Sequence, residues 1–179
     1  MNLVSFNLKQ YINFKYIDDL VCRVNVAWHS TSLYKDLDEV KEYKVFLDFD
    51  KGRQKPPKSG IQVDDLDQII RDYPNIKYVA VSNVEQMIDL KEFIHLADRI
   101  TLVPKIETAR GIKLFLESVD PMYHYIPYVS LDHGDLFTDL VNNNLTSHLY
   151  KDWIDPFIKR AKEKGVKVLR ERGLLFSEH

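Results

Sequence analysis

Five short segments of the chain set charged or polar residues against the end of an apolar run: Arg23 and Asn25 in CRVNVA, Asp48 and Asp50 in VFLDFD, Ser82 and Asn83 in AVSN, Lys105 and Glu107 in LVPKIE, and Asp132 and Asp135 in SLDHGD. A strand buried on both faces excludes charge unless the charge has a partner or a task. Lys105 and Glu107 are two apart, so in an extended chain both point to one side, a cation and an anion aimed into the same mouth. Asp135 follows the next apolar run. Two carboxylates from adjacent strand ends, with room for waters and a ligand oxygen, suit a hard divalent cation such as Mg²⁺ or Mn²⁺, which would act as a Lewis acid on a carbonyl or phosphoryl oxygen. The absence of a Cys or His cluster argues against structural zinc. A plainer reading stands beside this one: Lys105 and Glu107 form an ordinary ion pair, and Asp135 caps a helix beginning near Leu136.

Other catalytic patterns are missing. With only 6 glycines, the sequence contains neither G-x-x-x-x-G-K-[ST] nor G-x-G-x-x-G, and it has no nucleophile elbow. The six histidines, His29, His95, His124, His133, His148 and His179, show no metal spacing. Of these His133 alone, in the LDHGDL turn, invites a part in the site, beside the plainer reading of a turn histidine. Cys22 is the single cysteine and lies in an apolar stretch, which marks a buried inert thiol. Asn142-Asn143-Asn144 reads as a loop or a helix end.

The elements that must position these residues follow from periodicity. Strands are expected at Leu20 to Val26, Lys44 to Phe49, Lys77 to Ser82, Ile100 to Lys105, Ile126 to Leu131 and Val166 to Leu169, with a seventh at Leu3 to Leu8. Between them, Glu85 to Ala97 repeats apolar residues at Leu90, Phe93, Ile94 and Ala97, and Thr108 to Val119 at Ile112, Phe115, Leu116 and Val119, both at helical spacing. Asp152 to Lys164 does the same with Trp153, Phe157 and Ala161; Pro156 is expected in its opening turn and Gly165 at its stop. Strands such as VFLDF, YVAVS and ITLVPK are apolar on both faces, as in a parallel sheet covered on both sides. An α/β fold follows, either a parallel β/α barrel or a doubly wound sheet. Lys51 to Gly60 is polar, carries Pro56 and Pro57, and reads as an exposed loop.

The chain has 179 residues, 25 Lys plus Arg against 27 Asp plus Glu, and a formal net charge of -2. That length fits one domain spanning 1–179. No apolar run approaches the roughly 20 residues of a bilayer span, so no membrane partner is expected. A near-neutral charge with pI about 6.3 supplies no field for a phosphate backbone, so nucleic acid is not expected either. With no secretory pattern at Met1, a cytoplasmic location is the expectation.

Read in order, Arg23-Val24-Asn25 with His29 close behind, Leu47-Asp48 before a glycine, Tyr78-Val79-Ala80-Val81-Ser82 followed by Asp89, Lys105-Ile106-Glu107 with Gly111, and Gly134-Asp135-Leu136 resemble the barrel domain of pyruvate kinase over about residues 20 to 140. Ile106-Glu107-Thr108 is also similar to the I-E-T segment of the citrate lyase and 2-oxo-acid aldolase group. Both belong to the phosphoenolpyruvate/pyruvate-binding barrels. The resemblance implies a TIM-like β/α barrel, short or incomplete at this length, without the lid and C-terminal domains of pyruvate kinase, and with a homo-oligomer covering any open edge. It also departs from the pattern: Ala27 and Trp28 stand where a serine and a histidine are expected, and the glycine after Asp48 comes one residue late, at Gly52.

By the same resemblance, Glu107 and Asp135 hold Mg²⁺ or Mn²⁺, and Lys105 faces the enolate. Arg23 contacts the anionic end of the substrate. Asn25 and Asp48 match monovalent-cation ligands, and with Arg23, Ser82 and Gly134 they line the substrate pocket. The expected activity is that of a divalent-metal-dependent aldolase or lyase acting on pyruvate or a related 2-oxo acid through an enolate. Two alternatives remain: phosphoenolpyruvate-linked phosphoryl transfer or hydrolysis, which Lys105 favours, and a non-catalytic barrel that binds a metabolite or a partner.

Overall fold

The computed structural model describes residues 2–6, 19–53, 56–117, 126–145 and 150–170. Seven strands form one all-parallel sheet in the order of the sequence: β1 (Asn2–Ser5), β2 (Leu20–Asn25), β3 (Lys44–Phe49), β4 (Ile76–Val81), β5 (Thr101–Ile106), β6 (Tyr128–Leu131) and β7 (Lys167–Arg170). The sheet curls into a half-barrel, not the closed ring of a complete TIM barrel. All six strands expected from apolar runs are present. The seventh, expected at Leu3 to Leu8, ends at Ser5, and Leu8 lies outside the described residues.

Sequential parallel strands need crossovers, and these carry the helices α1 (Leu33–Glu39), α2 (Val63–Asp72), α3 (Ala109–Glu117), α4 (His133–Asn142) and α5 (Tyr150–Glu163). In α2 a reciprocal cap between Gln62 and Asp65 starts the helix, and Leu66, Ile69 and Ile70 give it a buried face. Phe115 of α3 meets Phe157 of α5 with ring centroids 4.5 Å apart, which locks those two helices together on the sheet. Gly165, at φ 73, ends α5 while Val166 N–H returns to the Ala161 carbonyl at 2.8 Å.

Two helical expectations need correction. Met87–Leu96 is a 3-10 helix, not an α-helix. Its buried residues Met87, Leu90, Phe93 and Leu96 recur strictly every third position, which three residues per turn align on one face; Ile94, expected inside, is 46% exposed. Pro156 lies within α5, not in its opening turn, because the helix begins two residues earlier than expected, at Tyr150. There the proline withholds an N–H from the carbonyl of Asp152.

The sheet has two unlike faces. Under the helices lies the main core, with Val24, Leu47, Val79, Val81, Phe93, Ile112, Phe115 and Phe157 all fully buried. On the other face Val21, Phe46, Ala80 and Val103 make a small apolar floor, bordered by Tyr78, Tyr128 and Leu169. Cys22 is buried with the main core, as expected of an inert thiol. Among the described residues no helix is long and apolar enough to cross a membrane.

Candidate functional site

Side chains alternate across a strand, so the residues that continue the floor toward the C-terminal strand ends are fixed by register. Val21 of the floor is followed on its own face by Arg23 and Asn25, Phe46 by Asp48, Ala80 by Ser82, and Val103 by Lys105 and Glu107. The pairings Asn25 with Asp48 and Asp48 with Ala80 align neighbouring strands. Four apolar strands thus deliver a cluster of polar groups to one end of the half-barrel, the end where β/α folds assemble their sites.

Lys105 is the hub. Its Nζ, 7% exposed, lies 3.2 Å from Asp48 Oδ1, 2.9 Å from Glu107 Oε1, 3.3 Å from Ser82 Oγ and 3.8 Å from Asp132 Oδ2. Asp48, only 1% exposed, also accepts Arg23 Nε at 3.0 Å and Nη2 at 2.5 Å, and Asn25 Nδ2 at 3.3 Å. Burial opposes the charge on Asp48, but Lys105 and Arg23 outweigh it and hold the carboxyl below its ordinary value. Burial likewise opposes the ammonium of Lys105, yet Asp48 and Glu107 raise it above its usual range, so it stays protonated. For Glu107 burial wins: its carboxyl is pushed up despite Lys105 and the Asn83 N–H.

Glu107, Asp132 and Asp135 each present a carboxylate oxygen within 4.8 Å of the others. Around an octahedral Mg²⁺ with bonds of about 2.1 Å, adjacent oxygens lie about 3.0 Å apart and opposite ones about 4.2 Å, so the three carboxylates would have to draw closer together to seat an ion. Three hard oxygen donors, Glu107 buried and the two aspartates half-exposed with access to water, are a donor set suited to Mg²⁺ or Mn²⁺. This geometry admits part of the plainer reading as well, because Lys105 and Glu107 do form an ion pair. The cap, however, is not Asp135. The residue capping α4 is Asp132, whose Oδ1 accepts Asp135 N–H at 3.1 Å, and the helix starts at His133.

The residues expected from the sequence therefore converge, with three qualifications. Arg23, Asn25, Asp48, Ser82, Lys105 and Glu107 form one hydrogen-bonded network; Asp135 joins through the carboxylate set, and Gly134 sits in the first turn of α4, where an added Cβ would meet only Asp132 Oδ1, at 3.7 Å. Asp50 stands apart: it accepts the N–H and hydroxyl of Ser59 at 3.0 and 2.6 Å and closes the loop after β3. His29 does not face the network either. It bonds Asp36 of α1 at 2.8 Å and meets the Phe6 ring edge-on. Trp28, by contrast, is 63% exposed.

Two contributors were harder to foresee. Asp132 was visible only as one of a pair of aspartates after a strand, with nothing to separate cap from ligand; its Oδ1 serves as cap, and its Oδ2 lies 3.8 Å from Lys105 Nζ. His133 is more than a turn residue. Arg170 Nε donates to its Nε2 at 3.2 Å, which leaves the ring proton on Nδ1 for Tyr150 Oη at 2.6 Å and ties β7, α4 and α5 together. Burial, reinforced by Asp132, pushes the Tyr150 phenol up to about 12 against the opposing charge of Arg170. His124, His148, His179 and the tail Leu174 to Phe176 lie outside the described residues.

No protein family matches the chain, and no curated protein matches it. Among solved structures it is similar to the crystal structure of RipC from Yersinia pestis, with a TM-score of 0.59 at 10% identity, over 94% of this chain and 73% of that one. At that identity the likeness is one of fold.

Proposed function

We propose that this protein is a divalent-cation-dependent enzyme of the phosphoenolpyruvate/pyruvate-binding barrel type, acting on pyruvate or a related 2-oxo acid through an enolate. The observation that carries the reading is the position of Lys105: a buried, protonated amine lies 2.9 Å from a carboxylate that also belongs to a three-carboxylate set at the strand ends. The sequential, singly wound strand order is that of a TIM-like barrel, here with seven strands.

In this reading Glu107, Asp132 and Asp135 hold Mg²⁺ or Mn²⁺, which when bound supplies Lewis-acid polarisation of the substrate's carboxylate and 2-oxo oxygens. Arg23 is the cation of the network within reach of solvent, 24% exposed, and binds the anionic end of the substrate. Asp48 orients it through Nε and Nη2, so the guanidinium is set before substrate arrives. Lys105 remains protonated and stabilises the negative charge that develops on the enolate oxygen, in a setting where water is scarce and a fixed charge acts strongly. Ser82 and Asn25 hold Lys105 and Asp48 in place.

Oxaloacetate decarboxylation and retro-aldol cleavage of a pyruvate aldol are the assays. Turnover that requires Mg²⁺ or Mn²⁺ and disappears in Glu107→Gln supports the proposal; a folded protein that binds neither cation excludes it. The same lysine also favours a second reading, phosphoryl transfer or hydrolysis from phosphoenolpyruvate, and release of pyruvate from phosphoenolpyruvate would select it.

A further inference from the structure

We infer that Asn83 is a positioning residue for Glu107: its N–H meets the carboxylate, and its left-handed backbone turns the chain so that the next N–H, of Val84, takes the ladder bond in its place. The inference rests on the divalent-cation reading of Glu107. At the end of β4 the ladder continues on both sides of Asn83: Ser82 N–H bonds the Phe49 carbonyl of β3 at 3.1 Å, and Val84 N–H bonds the Lys105 carbonyl of β5 at 3.2 Å. Asn83 itself stands at φ 56, and its N–H reaches Glu107 Oε2 at 2.7 Å. Glu107 Oε1 meanwhile meets Lys105, so the two oxygens are held by separate donors and the plane of the carboxylate is fixed. A non-glycine residue in this conformation carries a backbone cost, borne where surrounding contacts enforce it. Here the enforcing contact is the side chain: Asn83 Nδ2 donates to the Lys51 carbonyl at 2.8 Å, and Lys51 is anchored in turn by Glu92 at 3.0 Å and by the Asp89 carbonyl. The loop after β3 thereby steadies a residue just beyond β4 that aims a ligand just beyond β5.

Asparagine and glycine enter this conformation readily, alanine poorly and valine worst. Mn²⁺ affinity, measured by electron paramagnetic resonance, is therefore expected to fall about 10-fold or more in Asn83→Ala, the size typical for loss of a group that orients a metal ligand, and further in Asn83→Val. Asn83→Gly, which keeps the N–H and the backbone but loses the bond to Lys51, should lose stability without a matching loss of affinity. A metal-free readout is the residue-83 amide in ¹⁵N-resolved NMR: it should resonate downfield and exchange slowly in the natural protein and in Asn83→Gly, and lose both features in Glu107→Ala. Wild-type affinity in Asn83→Ala, or an amide indifferent to Glu107→Ala, overturns the inference. An amide that behaves as expected in a protein that binds no Mn²⁺ upholds the positioning and removes the metal reading instead.

Discussion

Replacing Lys105 with methionine removes the one charge that faces both Asp48 and Glu107. Methionine keeps most of the volume, so packing changes little. What remains is a carboxylate at 1% exposure, Asp48, held by Arg23 and Asn25, and a Glu107 whose charge burial already opposes. Breaking a buried pair by removing one partner costs about 3–5 kcal/mol. Unfolding entropy of about 2.1 cal/mol/K per residue over 179 residues is about 0.38 kcal/mol/K, so the midpoint of thermal unfolding should fall by about 8–13 °C. Calorimetry at pH 7 measures this directly. Added Mg²⁺ should restore part of the loss in Lys105→Met, because a dication beside Glu107 replaces the missing charge. A fall of less than about 2 °C, about 0.8 kcal/mol on the same scale, would show that the lysine is not holding buried carboxylates and would refute the network on which the site depends.

Four further outcomes follow from the structure. Because the Asp48 carboxyl is held below its ordinary value in the folded chain, the unfolded state binds the extra proton in acid. The stability that Asp48 confers, taken as the difference between the natural protein and Asp48→Asn, should be constant above about pH 5 and shrink as pH falls below about 3.9; urea titrations across that range measure it. Gly111→Ala should cost up to about 2 kcal/mol, an overpacking cost of about 1–3 kcal/mol less about 1 kcal/mol of helix propensity gained in α3, since its Cβ would lie 3.2 Å from Ile106 Cγ2 and 3.3 Å from the Val84 backbone carbonyl, and chemical denaturation reports the loss. Asp36→Ala leaves His29 buried without its partner and should cost about 1–3 kcal/mol with cation affinity unchanged, because that pair fixes α1 and not the site. Phe157→Ala should cost about 3–5 kcal/mol through the cavity left against Phe115.

The strands were legible because burial on both faces writes a continuous apolar run, and a charge at the end of such a run stands out: Asp48, Lys105 and Glu107 were found by that contrast. The shared face of Lys105 and Glu107 followed from the two-residue repeat of a strand. What the sequence hid was set by backbone geometry and by partners distant in the chain. Nothing local distinguishes a cap from a ligand in LDHGDL, so Asp132 emerged only once α4 was seen to begin at His133. The turn at Asn83 depends on a contact with Lys51, 32 residues away. The 3-10 helix was present in the sequence as the series Met87, Leu90, Phe93 and Leu96, but overlapping pairs at spacing four concealed it. Pro156 misled because a proline inside a helix is tolerated where packing at Phe157 and Ala161 outweighs the missing bond.

Whether carboxylates from neighbouring βα units hold a divalent cation beside Lys105 is decided by titrating metal-free protein with Mn²⁺ under electron paramagnetic resonance, with Glu107→Gln and Asp135→Asn alongside. One Mn²⁺ should bind per chain, displaced by Mg²⁺ and weakened at least about 10-fold in either variant. Natural protein that leaves Mn²⁺ free, or variants that bind it as well as the natural protein does, would show that these carboxylates do not hold it.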